Sequence, residues 1–252
     1  MALLAADQIS IRFGGLVAVD GVSFAVEPGQ IFTIIGPNGA GKTTIFNIVS
    51  RLYTATSGRI TLSGDDITRL PPHRLAGLGV ARTFQNIELF EHATVIDNLL
   101  VGRHVHVATN LLDAVLFTPR ARRQEIAFRE EAERIVGFLG LQRYRDSLIH
   151  GLPYGVRKNV ELARALMSRP KLLLLDEPSS GLTTNESVDL AWWLREIRDR
   201  LSVTILMVEH NMRLVSAISD RVLALNHGRI IAEGSPTDVQ RHPEVVRAYI
   251  GE

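Results

Sequence analysis

The clearest order in this chain is a repeated switch between short apolar runs and longer segments in which apolar residues return every three or four positions. Ile31 to Ile35, Leu172 to Leu175, Thr204 to Val208 and Arg221 to Leu225 are runs of strand length. They end respectively in a glycine-rich stretch, in Asp176 and Glu177, in Glu209 and His210, and in a turn at Asn226, His227 and Gly228. Runs that are apolar nearly throughout fit strands buried on both faces, and their alternation with helix-length segments predicts an α/β core on a parallel sheet. Ligands of such sheets sit beyond the carboxyl ends of the strands, so the residues that follow these runs carry the first functional weight.

Two stretches have another period. Ile9 to Val26, broken at Gly14 and Gly15, and Arg59 to Ile67, broken at Ser63, Gly64 and Asp65, read as antiparallel hairpins and predict a small N-terminal β layer. From about 88 to 156 strand signals vanish, and Phe128, Ala132, Ile135, Val136 and Leu139 recur at helical spacing, which predicts a helical lobe inserted into the core. The charged run Arg120 to Arg134 is most simply a solvated helix face with i,i+4 pairs. The expected layout is a single domain over 1–252: core and β layer at about 1–87 and 157–235, the lobe at about 88–156, and a C-terminal tail at about 236–252.

Composition narrows the function classes. A chain of 252 residues with 46% hydrophobic content buries an ample core. Lys and Arg number 28 against 27 Asp and Glu, so no summed field draws it to nucleic acid, and no nucleic-acid partner is expected. The absence of cysteine excludes thiolate zinc sites, disulfide scaffolds and cysteine nucleophiles. No stretch approaches the roughly 18 consecutive apolar residues of a membrane span, and the apolar opening Met1 to Ala6 is too short for a signal-peptide core. A cytoplasmic chain that meets a membrane only through partners is expected.

Gly36-Pro37-Asn38-Gly39-Ala40-Gly41-Lys42-Thr43 matches G-x-x-x-x-G-K-[ST] in full and stands between an apolar strand and the helical segment that starts at Thr44. Glycines let the backbone curl until successive N–H groups point at one anion, and the following helix adds its positive end. Lys42 then reaches the β- and γ-phosphates, and the Thr43 hydroxyl suits Mg²⁺. Two carboxylates straight after a buried strand are costly unless a cation or water meets them; Asp176 fits the Mg²⁺ partner and Glu177 the acceptor for the attacking water. His210 follows a second buried strand and is a candidate to touch the γ-phosphate.

As a set, the phosphate loop, Gln85, the acid pair, the loop Ser179-Ser180-Gly181-Leu182 and His210 resemble the ATP-binding cassette family of ATPases in order and spacing, over nearly the whole chain. Ala81-Arg82-Thr83-Phe84-Gln85, Thr94-Val95-Ile96-Asp97-Asn98-Leu99, Val208-Glu209-His210-Asn211-Met212 and the closing Val246 to Gly251 resemble the cytoplasmic ATPases of branched-chain amino-acid importers. The resemblance implies a RecA-like P-loop core and an ATPase that energises import of branched-chain or other hydrophobic amino acids or related small acids and amides. It implies Gln85 as a further Mg²⁺ and catalytic residue, Phe13 as the adenine-stacking aromatic, and a position at the cytoplasmic face of the plasma membrane. The expected partners are a second, non-identical ATPase, two membrane permease subunits and an extracytoplasmic solute-binding protein.

In such a pair ATP is sandwiched between one chain's phosphate loop and the other's signature segment. The matching segment here is Leu152-Pro153-Tyr154-Gly155-Val156, with a helix expected from about Arg157. It departs from the family's Leu-Ser-Gly-Gly-Gln: the serine hydroxyl is absent, and Pro153 offers neither hydroxyl nor N–H. The Ser179 to Leu182 loop also lacks the family's aspartate, with Thr183 in its place. Two other readings compete, the similar ATPase of lipopolysaccharide export and a non-transport cassette. Pro153 and Tyr154 argue against the first, and one phosphate loop without long coiled coils argues against the second.

Overall fold

Strand pairing sorts the apolar runs into two sheets. The computed structural model describes residues 1–83, 87–107, 109, 113, 116 and 118–250. β1 (Leu4–Phe13), β2 (Leu16–Val26), β4 (Ser57–Leu62) and β5 (Asp65–Asp66) pair antiparallel in the order β2-β1-β4-β5. The other sheet runs β10-β9-β3-β8-β7-β6, built from β3 (Ile31–Ile35), β6 (Val80–Arg82), β7 (Leu172–Asp176), β8 (Thr204–Val208), β9 (Arg221–Asn226) and β10 (Arg229–Gly234). Every pairing in it is parallel except that of β10 with β9.

Every residue of β3, β7 and β8 is buried, which is why these runs are apolar without alternation. β1 and β2 carry the alternation of one-sided burial. Ile9, Val22 and Phe24 of the antiparallel sheet share a core with Phe32, Ile34, Leu174 and Leu206 of the larger one, and Phe24 stacks on Phe32 at 5.6 Å. Helix α1 (Lys42–Val49) sends Ile45, Phe46 and Ile48 into the same core. On a second cluster Ile35, Val222 and Ala224 meet Val215 of α7 (Met212–Ile218), Val239 of α8 (Pro236–Arg241) and Val245 of α9 (Pro243–Ile250). The α6 helix (Thr184–Leu201) precedes β8, and the short α2 (Pro72–Gly77) precedes β6.

The chain divides into two compact units, Met1–Gln85 with Lys171–Glu252, and Asn86–Pro170. The second holds α3 (Val95–Val101), α4 (Pro119–Phe138) and α5 (Tyr154–Leu166). The sequence reading placed the last of these helices in the α/β core from about 157. It begins at Tyr154 with Pro153 as N-cap, and it packs on α3 and α4, so the helical unit extends to Pro170. An amphipathic stripe shows that a helix has a buried face and does not say which neighbours cover it. Asn98 in α3 is fully buried and bonds Phe90 N–H, Phe90 C=O and Thr94 C=O, while Thr94 and Asp97 form a capping box. The charged run is not wholly solvated either: the Glu131 side chain is 8% exposed and is held by Arg134 and by Arg169 Nη2 at 2.6 Å. The hydrogen bond from Arg169 keeps its carboxyl below the usual range.

Candidate functional site

The site begins where β3 stops. Past Ile35 the backbone enters Gly36 at φ 152°, where an added Cβ would lie 2.4 Å from Leu225 C=O on the neighbouring strand. At Gly41, the N-cap of α1, φ is 100° and a Cβ would meet Ala18 C=O at 2.7 Å. Both positions combine left-handed backbone with close approach, so only glycine fits. The loop is braced from outside by the β9–β10 hairpin, whose Gly228 N–H donates to Ala40 C=O at 3.0 Å while Asp20 N–H donates to Gly228 C=O at 2.9 Å. No side chain caps α1 and no acid stands in its first turn, which leaves its N–H groups and positive dipole end for an anion.

Lys42 is buried, and its Nζ donates to Gly36 C=O at 2.8 Å and Pro37 C=O at 3.0 Å. Burial pushes its ammonium pKa down, opposed by the nearby carboxylates of Glu177 and Asp176. A cavity of about 570 Å³ lies along residues 38–44; Phe13, Leu16 and Val17 of the first hairpin line it, as do Glu177 and His227. Phe13 is 45% exposed at the end of β1 and meets Tyr53 edge-on at 5.3 Å, so it is not a core residue. A larger cavity of about 760 Å³ in the helical unit, walled by Leu100, Val101, Ala121 and Phe128, contains none of the phosphate-loop residues.

Asp176 is buried at the end of β7 and receives Arg82 Nη2 at 3.3 Å. The same guanidinium donates from Nη1 to Asn47 Oδ1 at 2.8 Å and to Ser50 Oγ at 2.5 Å, and lies 4.7 Å from the Phe46 ring. Arg82 thus ties the helix after the phosphate loop to the strand that carries the acid. Glu177 follows in left-handed backbone at φ 47°, a conformation costing about 1 kcal/mol for a non-glycine residue. Its N–H donates to Val208 C=O at 2.9 Å, which holds the turn to β8. The Glu177 Oε2 lies 3.7 Å from His210 Nδ1, within ion-pair reach and beyond a hydrogen bond.

Glu209 is fully buried, and its carboxylate accepts the N–H groups of Ser179 at 2.8 Å, His210 at 3.0 Å and Asn211 at 3.1 Å. It joins the loop after Glu177 to the loop that presents His210. Sequence reasoning assigned no role to Arg82 or Glu209. For Glu209 the signal was present, an acid directly after a strand buried at every position. Gln85 lies outside the described residues. In the helical unit Leu152 is buried, while Pro153 and Tyr154 are exposed at the start of α5, where no side chain caps the helix; Gly155 follows in its first turn. Lys158 Nζ and the Arg157 guanidinium each lie 5.9 Å from the Tyr154 ring.

A glycine loop between β3 and α1, with an acid pair at the end of a central parallel strand, defines an α/β P-loop nucleoside triphosphatase. The chain belongs to the ABC transporter family, as its ATPase domain: the family model described as ABC transporter matches residues 19–180. As a member it is an ATPase, binding ATP and hydrolysing it. A second model, described as branched-chain amino acid ATP-binding cassette transporter, matches residues 229–252. The chain is 42% identical over 250 residues to the high-affinity branched-chain amino acid transport ATP-binding protein BraF of Pseudomonas aeruginosa, covering 99% of this chain and 98% of that one. It is 40% identical, with the same coverage, to LivG of Escherichia coli K12, which carries the same description. Among solved structures, the ADP conformation of MJ1267, an ATP-binding cassette of an ABC transporter, superposes with a TM-score of 0.87 at 33% identity over the whole of both chains. Among the described residues no helix is long and apolar enough to cross a membrane.

Proposed function

We propose that this chain is the ATP-hydrolysing subunit of an importer for branched-chain or other hydrophobic amino acids, or related small organic acids and amides. It sits at the cytoplasmic face of the plasma membrane with a second, non-identical ATPase, two permease subunits and an extracytoplasmic binding protein. The full-length likeness to relatives described as branched-chain amino acid transport ATPases carries this reading, and the match over 229–252 supports it from outside the general ATPase region.

In the proposed cycle the phosphates of ATP enter along residues 38–44, a stretch that includes Thr43 and Thr44 and where the uncapped α1 N-terminus offers its N–H groups. Lys42 Nζ exchanges the carbonyls of Gly36 and Pro37 for phosphate oxygens. Phe13, at the cavity edge, offers its ring face to adenine. Mg²⁺ takes hard oxygen ligands together with phosphate oxygens, and the Thr43 hydroxyl and Asp176 carboxylate are of that kind, with Gln85 as third candidate. When bound, it would neutralise charge developing on the phosphates. Glu177 accepts the proton that water gives up as its oxygen bonds to the γ-phosphorus and ADP leaves, and His210 orients the transferred group. Leu152 to Gly155 of one cassette close the site of the other, with α5 N–H groups in place of the missing serine hydroxyl.

Glu177→Gln keeps size and polarity and removes the anionic acceptor. In the assembled transporter, ATP affinity should persist while steady-state hydrolysis falls by about a hundredfold or more. Near-normal turnover would move the base elsewhere. Binding protein loaded with a branched-chain amino acid should stimulate hydrolysis by wild-type complex; no stimulation by any apolar amino acid would remove the cargo assignment.

A further inference from the structure

The phosphate loop is held from a direction that the general ATPase motifs do not explain. β3 ends at Ile35, so the N–H of Gly36 lies past the strand, and it donates to the phenolic oxygen of Tyr249 at 2.8 Å. The carbonyl of the same glycine receives Lys42 Nζ. Gly36 is therefore gripped at one end by the last helix of the fold and at the other by the lysine of its own loop. Tyr249 is not placed by chance contact, because Val245, one turn earlier on α9, is buried against Ile35, Val222 and Ala224. Both the last residue of β3 and the first residue of the loop are thus in the hold of α9. Burial pushes the Tyr249 phenol up, so its oxygen keeps its own proton while it accepts the glycine N–H. Residues 229–252, which include this helix, match the branched-chain model and lie beyond the general one, which stops at 180.

We propose that Tyr249 is a positioning residue for ATP binding, its hydroxyl holding Gly36 so that the phosphate loop is ordered before nucleotide arrives. This rests on the reading of residues 36–44 as the ATP site. Gly36 has left-handed backbone and no side chain to restrain it. An unsatisfied N–H there would let the loop sample forms that do not converge on phosphate, and apparent affinity falls in proportion to the competent fraction. A group that orders the loop acts on binding and leaves the later chemical step nearly untouched.

The test compares Tyr249→Phe with Tyr249→Ala in the assembled transporter, and follows Gly36 amide hydrogen exchange in the nucleotide-free chain. Tyr249→Phe removes only the oxygen from a side chain whose ring is partly exposed, so folding and melting temperature should hold. The expected result is a rise in KM for ATP of about five- to tenfold with kcat within about twofold, the range set by one lost hydrogen bond to a buried N–H. Gly36 exchange should quicken in the same variant, and Tyr249→Ala should add little. If Tyr249→Phe matches wild type in KM and exchange while Tyr249→Ala is impaired, the ring merely packs and the inference fails alone. If it lowers kcat with KM unchanged, the inference also fails. If wild-type chain binds no ATP, the nucleotide reading fails and takes this inference with it.

Discussion

An ammonium group buried beside two carbonyl oxygens is poised to leave them, and this decides how Lys42 responds to ligand and pH. Desolvation lowers its pKa, while the Glu177 and Asp176 charges offset only part of that. Between this depressed value and the ordinary lysine value the unfolded chain binds more protons than the folded one. The group's contribution to stability therefore rises with pH through that window, and is lost as pH falls through the folded-state pKa. Phosphate oxygens reverse the shift by favouring the charged form. At a pH between that depressed value and the ordinary lysine value, ATP binding should take up a fraction of a proton, seen as a heat that varies with the ionisation enthalpy of the buffer. Lys42→Ala should abolish that uptake and weaken binding by about 3 kcal/mol, roughly a hundredfold, as expected for lost charge-assisted hydrogen bonds. Equal affinity in wild type and variant would mean that Lys42 does not meet the phosphates.

At the scale of elements, caps decide where helices begin beside the site. Thr183 stands where the resemblance expects an aspartate, and it is the N-cap of α6: its hydroxyl accepts Glu186 N–H at 3.3 Å, and Glu186 Oε2 accepts Thr183 N–H at 2.8 Å. Aspartate accepts from the helix N–H in the same way, but threonine adds a bond that its hydroxyl donates to Glu186 Oε2 at 2.7 Å, which a carboxylate cannot make. Thr183→Ala should cost about 1 kcal/mol, lowering the melting temperature by roughly 2–4 °C, whereas Thr183→Ser, which keeps both hydroxyl bonds, should melt as wild type does. A Thr183→Ala variant of unchanged stability would show that the box contributes nothing. The same scale separates what was readable from what was not. β3, β7 and β8 declare themselves because burial on both faces leaves no polar alternation. β6 does not, since Val80–Arg82 is too short to display a period and is a strand only because Val80 to Arg82 pair with Leu172 to Leu174. The start of α5 was also hidden, because Pro153 is a weak cap signal, Tyr154 is an indifferent helix former and Gly155 a poor one.

For the whole molecule, the phosphate loop belongs to one compact unit and the segment Leu152 to Gly155 to the other. In the proposed pair each ATP needs both kinds of surface, and this chain's segment offers a proline-capped helix end without a serine hydroxyl. The isolated chain carrying Glu177→Gln should therefore remain mainly monomeric with ATP in light scattering, and the co-expressed complex should hold two different cassettes. Pro153→Ser should raise hydrolysis modestly, at one of the two sites. A stable, fully active ATP-dependent homodimer of this chain, unaffected by a second cassette, would end the heteromeric reading.

What the sequence determined by itself is what depends on neighbours along the chain. The α/β class follows from runs that need burial on both faces, and the phosphate loop from eight consecutive residues whose glycines serve the backbone they stand in. Even Gly36 and Gly41, though, are required by carbonyls of Leu225 and Ala18, on strands distant in sequence. Only the tertiary structure brings Arg82 to Asp176 across 94 positions and Tyr249 to Gly36 across 213. A hydrogen bond between distant residues has no period and no local composition, so nothing in the order of residues announces it. It exists because sheet pairing and core packing bring the two strand ends, or a helix and a loop, to the same place.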